Sequence, residues 1–228
     1  MDIFFAMDLR GGIVVKGHKG ERERYEPIER HSKICTTSDP LNVVDTIKPR
    51  RTYVADLDRI LGWGNNSLII RRLGARTETT VNAGVKTRDD VREIEHIANT
   101  AIISTETASL DVIKATQSMN VGVSIVMSGS RVVSADSALA RDPLEVIEEM
   151  NLYNLKELLL LRLDLVGTKH GIDRDFIRKA IDASGHRIIV AGGVKSSEDL
   201  DILEDLGAAG VILSTVIHEG IIPVEVVR

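Results

Sequence analysis

Short apolar runs alternate along the chain with segments that carry a helical spacing of apolar residues. Eight of these runs are rich in Val, Ile and Leu and are mostly continuous, which is typical of parallel strands covered on both faces. The predicted strands are Ile3–Met7, Thr52–Ala55, Thr79–Asn82, Ala101–Ser104, Val121–Met127, Leu158–Leu163, Arg187–Ala191 and Gly210–Leu213. We therefore expect an α/β protein built on parallel strands.

Several of the intervening segments begin with helix-capping signals. Asp142–Glu145 places a capping aspartate before a first-turn proline, and Thr87–Asp90 and Ser196–Asp199 have the spacing of capping boxes. The last of these helices is expected to end at Gly207. Eight strands that alternate with helices fit either a closed (β/α)8 barrel or an open doubly wound sheet.

An internal repeat favours the closed barrel. The turn at Gly84–Thr87 recurs as Gly193–Ser196, and the strand at Ala101–Thr105 recurs as Gly210–Thr215. The repeat covers a whole strand–turn–helix–strand unit. The sequence therefore predicts an α/β TIM barrel made of two (βα)4 half-barrels, with residues 1–228 forming a single domain.

Composition and charge narrow the class of ligand. Aromatic residues make up only 3% of the 228 residues, and the formal net charge is −5. Both values argue against a nucleic-acid-binding protein, because such proteins cluster Lys and Arg and stack bases on aromatic rings. A small phosphorylated metabolite needs only a few local donors and is the expected partner. The chain itself is expected to be a monomer or a small homo-oligomer.

Other features of the sequence concern location and cofactors. The lone cysteine, Cys35, cannot form an internal disulfide and fits a reducing compartment. Because no apolar run reaches the ~18 residues of a membrane helix, we predict a cytoplasmic protein without membrane contact. The six histidines lack metal-ligand spacing, and glycine-rich dinucleotide patterns are absent, so neither a metal nor a cofactor is expected.

Two predicted strands end in glycine turns that lead into capped helices, where backbone N–H groups can hold an oxyanion. These turns are Asn82–Val85 and Ala191–Val194, and a pair of hydroxyls ends each neighbouring strand. The predicted phosphate-binding residues are Gly84, Ser104, Thr105, Gly192, Gly193, Ser214 and Thr215. On opposite sides of a barrel mouth, the turns suit an elongated ligand with a phosphate at each end. The alternative is that both are only tight turns with helix caps.

Asp8 ends the first predicted strand, at the barrel end where such enzymes carry their reactive groups. Because side chains alternate along a strand, Asp8 shares a face with Ala6, and an inward carboxylate there is a candidate general base. The alternative is a carboxylate that only pairs with Arg10 or Lys16.

Three further polar residues follow predicted strands without a clear role. Asp56 and Asp164 are equally consistent with catalysis and with ion-paired loop carboxylates. His170 lies in a glycine-containing loop that indicates flexible recognition of a ligand.

Taken in order, these residues resemble the histidine-biosynthesis barrel family, which includes ProFAR isomerase (phosphoribosylformimino-aminoimidazole carboxamide ribotide isomerase) and its sister cyclase. The matching segments are Ala6–Lys16, Tyr53–Asp58, Asn82–Lys86, Gly167–Thr168, Ala191–Val194 and Val211–Thr215. The resemblance implies that both glycine turns bind the phosphates of a long ribotide. It also implies that Asp8 is the base of an Amadori rearrangement, an aminoaldose-to-aminoketose isomerisation, with substrate contacts at Lys16, Asp56 and Thr168.

Three departures mark the chain as a divergent relative of ProFAR isomerase. Val126 ends the fifth strand and Val166 lies after the sixth, where the family has aspartates, and Lys16 replaces an arginine. Valine cannot exchange a proton. Asp164 or His170 is therefore the predicted substitute for the missing acid.

Three functions follow as hypotheses. The first is an isomerase that acts on a phosphorylated sugar or ribotide. The paired turns favour a ligand with two phosphates. The second is a non-catalytic protein that binds phosphoribosyl ligands. The third is a lyase or condensing enzyme of a cofactor-biosynthesis pathway, with Lys16 as an amine nucleophile. In each case the long loops Gly17–Ser38, Arg59–Thr77 and Ser128–Arg141 are predicted to decide substrate choice.

Overall fold

The computed structural model describes residues 1–228 and contains eleven strands and nine α-helices. The strands are β1 (Asp2–Arg10), β2 (Ile13–Lys16), β3 (Glu26–Pro27), β4 (Arg51–Asp56), β5 (Glu78–Asn82), β6 (Thr100–Ser104), β7 (Val121–Ser128), β8 (Arg131–Val132), β9 (Glu157–Arg162), β10 (Arg187–Ala191) and β11 (Gly210–Leu213). The helices are α1 (Pro40–Ile47), α2 (Leu57–Leu61), α3 (Ser67–Leu73), α4 (Arg88–Glu95), α5 (Leu110–Ala115), α6 (Pro143–Met150), α7 (Arg174–Ala183), α8 (Ser197–Asp205) and α9 (Thr215–His218). Short 3-10 turns lie at Arg22–Arg24, Ile28–Arg30, Leu163–Leu165 and Val224–Val227.

Eight of the strands form a closed parallel barrel in the order β1-β4-β5-β6-β7-β9-β10-β11, and β11 pairs with β1 to close the ring. The closing ladder aligns Asp2 with Gly210 and Phe5 with Leu213. All eight predicted strands are therefore confirmed, and the fold is a (β/α)8 TIM barrel. One predicted end was wrong by a residue, since Leu163 begins a 3-10 turn after β9.

Alternation along the barrel strands produces two apolar layers. Side chains on one face of each strand fill the barrel itself, including Phe4, Ile102, Leu159, Ile189 and Ile212. Side chains on the other face pack beneath the helices in a larger cluster of 48 buried residues. This double burial is why the strands read as continuous apolar runs rather than as an alternating pattern.

Three short strands were not predicted, and all lie at the carboxyl-terminal end of the barrel. β2 runs antiparallel to the end of β1, β3 pairs with β2, and β8 folds back on β7. These hairpins hold the loops that follow β1 and β7 against the barrel mouth. The polar, glycine-containing turn at Gly11–Gly12 between β1 and β2 is the local signal that marks the first hairpin.

The predicted helix caps are confirmed at two of three positions. Asp142 accepts a hydrogen bond from the backbone N–H of Leu144 at the start of α6, and Thr87 and Asp90 form a capping box on α4. Ser196 is also an N-cap residue, but its side chain makes no capping hydrogen bond. Asp199 instead accepts from the backbone N–H of Lys195, at 2.9 Å.

The amino-terminal end of the barrel carries charged side chains rather than a cavity. Asp2 joins Arg51 and Arg187 through bonds of 2.8 and 2.6 Å. Glu157 lies buried beside them, and its Oε1 atom has no hydrogen-bond partner. Burial raises the pKa of Glu157, although Lys156 and Arg187 oppose the shift. None of the helices is long and apolar enough for a membrane crossing.

Candidate active site

A cavity opens at the carboxyl-terminal mouth of the barrel and holds about 980 Å³ of space, counting the solvent at its opening. Most of its wall is apolar. The polar and charged side chains that line it are Asp8, Arg22, Tyr25, Tyr53, Asn82, Glu106, Lys169, Ser214 and Thr215. An apolar cleft with a few convergent polar groups is the usual form of a small-molecule site.

Asp8 projects from the end of β1 into this cavity. Burial raises the pKa of its carboxyl group to about 6, and the nearby positive charge of Arg22 lowers it only in part. The carboxylate makes no hydrogen bond within the protein. The predicted alternative, a structural ion pair, is not formed, because Lys16 binds Glu219 and Arg10 donates to the carbonyl groups of the following loop.

The segment that follows β2 approaches Asp8 closely. A Cβ atom at Gly17 would lie only 2.8 Å from Oδ2 of Asp8 and 2.8 Å from Cγ1 of Val166, so a larger residue there would displace one of these side chains. The hydroxyl of Tyr25 lies 3.7 Å from the same point. The carboxylate of Asp8 and the phenol of Tyr25 therefore face the same small region of the cavity.

Two tyrosines surround the carboxylate. Burial raises the pKa of Tyr25, and the negative charge of Asp8 raises it further. Burial likewise raises the pKa of Tyr53, which projects from β4 near Asp8 and Glu106. Both phenols therefore keep their protons at neutral pH and can act as hydrogen-bond donors to a ligand.

Arg22 and Glu106 form an ion pair across the cavity, with a nitrogen–oxygen distance of 2.7 Å. Arg22 comes from the loop after β2, and Glu106 follows β6. The guanidinium group of Arg10 binds the backbone carbonyl groups of Arg22 and Tyr25. These contacts hold the loop over one side of the mouth and present Arg22, Tyr25 and Glu106 together.

The predicted phosphate residues of the second half of the chain line the cavity. Gly192 and Gly193 follow β10, Ser214 caps α9, and Thr215 begins that helix. The backbone N–H of Gly193 makes no hydrogen bond inside the protein, and the first N–H groups of α9 lack partners in the helix. Lys169 lies nearby on the cavity wall and binds Glu219. This turn offers donors and positive charge to an anion.

The corresponding residues of the first half do not reach the cavity. A Cβ atom at Gly84 would lie 2.8 Å from Cα of Ile60, because α2 packs directly on this turn. Ser104 and Thr105 are fully buried. The Thr105 hydroxyl donates to the carbonyl of Val133. The structure thus brings together only one of the two predicted sets of phosphate residues.

The predicted substitutes for the missing acid also lie outside the cavity. Asp164 binds Arg162 through two hydrogen bonds of 3.1 and 2.9 Å, and this contact lowers the pKa of its carboxyl group. The side chain of His170 is exposed to solvent. The geometry therefore does not support either residue as a proton donor to a ligand beside Asp8.

The three predicted substrate contacts are engaged within the protein. Lys16 binds Glu219 at 3.3 Å, and the hydroxyl of Thr168 donates to the carbonyl of Leu165. Asp56 is fully buried and accepts hydrogen bonds from the backbone and the side chain of Asn66, at 2.8 and 2.7 Å. None of the three lines the cavity. No cluster of His, Cys, Asp or Glu side chains is arranged to hold a metal ion.

The chain matches the family described as "Histidine biosynthesis protein" over residues 2–223. It belongs to that family.

Among its relatives is the uncharacterized protein MJ0703 of Methanocaldococcus jannaschii, which is 32% identical over 99% of this chain and 96% of its own. Two others carry the name 1-(5-phosphoribosyl)-5-((5-phosphoribosylamino)methylideneamino)imidazole-4-carboxamide isomerase, the ProFAR isomerase. The protein of Methanothrix thermoacetophila is 28% identical over 96% of this chain and 93% of its own. One from Thermus thermophilus is 27% identical over 96% of this chain and 95% of its own. Within the histidine biosynthesis protein family the chain is therefore divergent.

The two valines that separate this chain from the family pattern occupy different places. Val126 is buried near the end of β7 and does not line the cavity, whereas Val166 forms part of the cavity wall beside Gly17. Neither side chain can exchange a proton.

Sequence reasoning missed the charged and phenolic neighbours of Asp8, namely Arg22, Tyr25 and Glu106. Glu106 directly follows the Ser104–Thr105 pair, and its position after a strand end was the available signal. Arg22 and Tyr25 lie in the loop Gly17–Ser38, which was predicted to help decide substrate choice, but nothing local in that loop shows which of its side chains turn inward.

Proposed function

We propose that this protein is an isomerase that moves a proton between neighbouring carbons of a phosphorylated aldose-type sugar or ribotide, with Asp8 as the general base. One observation carries the proposal: a carboxylate without a protein partner, with a pKa of about 6, faces the cavity that also contains an open glycine turn. A base with a pKa near neutrality combines adequate basicity with a large ionised fraction at working pH.

The chemistry requires one base and one acid. In an aldose-to-ketose isomerisation a proton leaves C2 while the C1 oxygen gains one, which gives the enediol. A proton is then added at C1 while the C2 hydroxyl loses its proton and becomes the ketone oxygen. The ionised Asp8 accepts the first proton and, as the carboxylic acid, can return it to C1. No atoms are gained or lost overall, so no co-reactant is required.

Tyr25 is the proposed hydrogen-bond donor to the substrate oxygen or nitrogen at C1. Its pKa is raised by burial, so the hydroxyl stays protonated, and it faces the same region of the cavity as Asp8. In this role Tyr25 takes the place of the aspartates that the chain lacks at Val126 and Val166. A single well-placed acid contributes roughly 10²–10⁴-fold to such a rate.

The open turn of the second half is the proposed phosphate site. Backbone N–H groups at Gly193 and at the start of α9, together with the hydroxyls of Ser214 and Thr215, supply uncharged donors, and Lys169 supplies charge. Phosphate held there anchors the sugar while Asp8, on β1 beside β11, reaches the reacting carbons. Positioning of this kind is a large part of the catalytic effect of an enzyme site.

The test is proton exchange at C2, which does not require knowledge of the natural product. Ribose 5-phosphate is incubated with the protein in deuterium oxide, and loss of the C2 proton signal is followed by NMR. We expect exchange with the wild type and at least a ~10³-fold slower exchange with Asp8→Asn, since the base is lost. Asp89→Asn, which changes an exposed carboxylate on α4, is the control and should exchange as the wild type does.

The competing hypotheses give different results in the same experiment. A non-catalytic binding protein would shift the ligand signals without any exchange, and this outcome would remove the isomerase proposal. The lyase hypothesis placed an amine nucleophile at Lys16, but that side chain binds Glu219 outside the cavity, and no observation favours it.

A further inference from the structure

The two glycine turns of the barrel lie on opposite sides of the mouth but differ in what covers them. The turn at Gly84 follows β5 and the turn at Gly192–Gly193 follows β10, four strands further around an eight-stranded ring. A ligand with a phosphate at each end would need both turns. The cavity is lined by Gly192 and Gly193 of the second turn but, of the first turn, only by Asn82.

Several donors in and beside the first turn bind other groups of the protein. The carboxylate of Asp90 accepts from the backbone N–H groups of Lys86 and Thr87, at 3.0 and 2.8 Å. The N–H of Gly84 faces the side-chain oxygen of Asn82, at 3.3 Å. The hydroxyl of Thr105 also accepts a hydrogen bond from the backbone N–H of Val126, so it both donates and accepts within the protein. Gly84, Thr87 and Thr105 therefore direct these donors to groups of the protein itself.

Negative charge adds to this steric closure. Glu106 lines the cavity on the side of the first turn, where its backbone N–H contacts the hydroxyl of Ser104 at 3.3 Å. The one cation beside it, Arg22, is already paired with it. A phosphate at this end of a ligand would have to compete with Glu106 for Arg22 and would lie beside the Glu106 carboxylate, an arrangement that like-charge repulsion disfavours.

We propose that the site takes a sugar-type ligand with one terminal phosphate, held at the Gly192–Gly193 turn, and with an uncharged or amino-bearing end toward Glu106. This inference rests on the proposed function and narrows its substrate class. The carboxylate of Glu106 and the amide of Asn82 can accept and donate hydrogen bonds to hydroxyl or amino groups at that end. It also reverses the expectation of two phosphates that the paired turns of the sequence created.

The experiment compares the binding of two sugar phosphates to the full chain by isothermal titration calorimetry. Ribose 5-phosphate and ribulose 1,5-bisphosphate are the probes, and inorganic phosphate and ribose are the reference ligands. We expect the monophosphate to bind at least about tenfold more tightly than the bisphosphate, because of the repulsion at Glu106. Glu106→Gln removes that charge and should narrow the ratio of the two dissociation constants to within about threefold.

A matched pair of variants locates the phosphate. Ser214→Ala removes a hydroxyl from the open turn and should weaken ribose 5-phosphate binding about tenfold, as expected for a hydrogen bond to a charged group. Ser104→Ala removes the corresponding buried hydroxyl of the first half and should change binding less than about twofold. Thermal unfolding of both variants confirms that each is folded before titration.

Each result has a definite meaning. Bisphosphate binding equal to or tighter than that of the monophosphate, or a loss at Ser104→Ala as large as that at Ser214→Ala, overturns the one-phosphate inference and leaves the isomerase proposal intact. Absence of binding by both sugar phosphates and by inorganic phosphate overturns both proposals together.

Discussion

At the scale of single residues, ionisation of Asp8 lowers the stability of the folded protein. Burial raises its pKa from an ordinary 3.8 to about 6, so the folded protein binds a proton that the unfolded chain releases. A raised carboxyl pKa contributes stability that is present below about pH 4 and is lost as the pH rises through about 6. Active-site groups commonly carry such a cost.

Asp8→Asn should therefore stabilise the protein at pH 8 and leave its stability unchanged near pH 3.5. The gain at pH 8 is at most about 3 kcal/mol, since each pKa unit corresponds to about 1.4 kcal/mol. Urea unfolding of both proteins across this range measures the difference. A gain that is equal at both pH values would show that the substitution acts through packing and not through the charge.

Gly17 is a second residue whose role follows from distances. Gly17→Ala would place a methyl group 2.8 Å from Oδ2 of Asp8 and from Cγ1 of Val166, so one of these groups must move. We expect loss of C2 proton exchange and a destabilisation of about 1–3 kcal/mol, measured by NMR and by urea unfolding.

The control for Gly17→Ala is Gly185→Ala. At Gly185 the added methyl meets only Asn151, at an ordinary 3.4 Å. This variant should keep its exchange activity. Activity of Gly17→Ala equal to that of Gly185→Ala would contradict the steric account of Asp8 placement.

Part of this site could be predicted from the sequence, and the rest could not. Asp8 could be found because a strand end and its alternation are local properties. The pairing of Arg22 with Glu106 could not, because the two residues belong to a loop and a strand end that meet only in the folded barrel. The same holds for Asp164, whose partner Arg162 is close in sequence but whose direction away from the cavity is set by the turn after β9.

At the scale of elements, two helices that share a capping pattern differ in how the cap is made. Asp142 accepts a hydrogen bond at the start of α6, whereas the side chain of Ser196 makes none at the start of α8. The local pattern predicts where each helix begins. It does not predict whether the cap side chain makes its bond, because at α8 the only such contact runs from the backbone N–H of Lys195, before the helix, to Asp199.

Asp142→Ala should lower the free energy of unfolding by about 1 kcal/mol, the usual value for loss of an N-cap side chain. Ser196→Ala, at the matched position of α8, should lower it by less than about 0.5 kcal/mol, because no capping bond is lost. Urea unfolding of the two variants side by side is the measurement. Equal losses would mean that Ser196 makes a cap in solution.

Elements also explain why the hairpins at the mouth escaped prediction. β2, β3 and β8 have four residues or fewer, and their pairing with β1 and β7 depends on the barrel that supports them. The barrel strands are long apolar runs, so their sequences alone predict them. The loops that complete the site take their shape from tertiary contacts such as those of Arg10 with two backbone carbonyl groups.

At the scale of the whole molecule, buried carboxyl groups with raised pKa values lie at both ends of the barrel. Asp8 faces the mouth, and Glu157 lies at the amino-terminal end with one oxygen atom unpartnered. Burial raises the pKa of both groups, so each lowers stability as the pH rises through its titration. The two effects should be independent because the groups share no partner.

Glu157→Gln should raise stability at pH 8, and the double variant with Asp8→Asn should show the sum of the two gains within about 0.5 kcal/mol. The C2 exchange activity of Glu157→Gln should match that of the wild type, since Glu157 is at the opposite end from the site. Urea unfolding and NMR exchange provide the two measurements. A coupling well above that limit would mean that the two ends of the barrel influence each other.

The closed barrel itself could be predicted from the repeated strand–turn–helix–strand unit. The different exposure of its two pairs of hydroxyls could not, because Ser104 and Thr105 are buried and Thr105 is bound by the segment at Val133, which is distant in sequence. A repeat in sequence predicts similar backbones. It does not predict similar exposure.

The unequal turns have a stereochemical consequence. In the proposed mechanism, one phosphate anchor and one carboxylate on a fixed strand give a bound sugar a single orientation, which presents a single face of its enol to Asp8. A proton returned from that side reaches only one of the two prochiral positions at C1. A ketose formed in deuterium oxide should therefore carry deuterium at C1 in a single configuration. That configuration depends on which half of the barrel holds the phosphate.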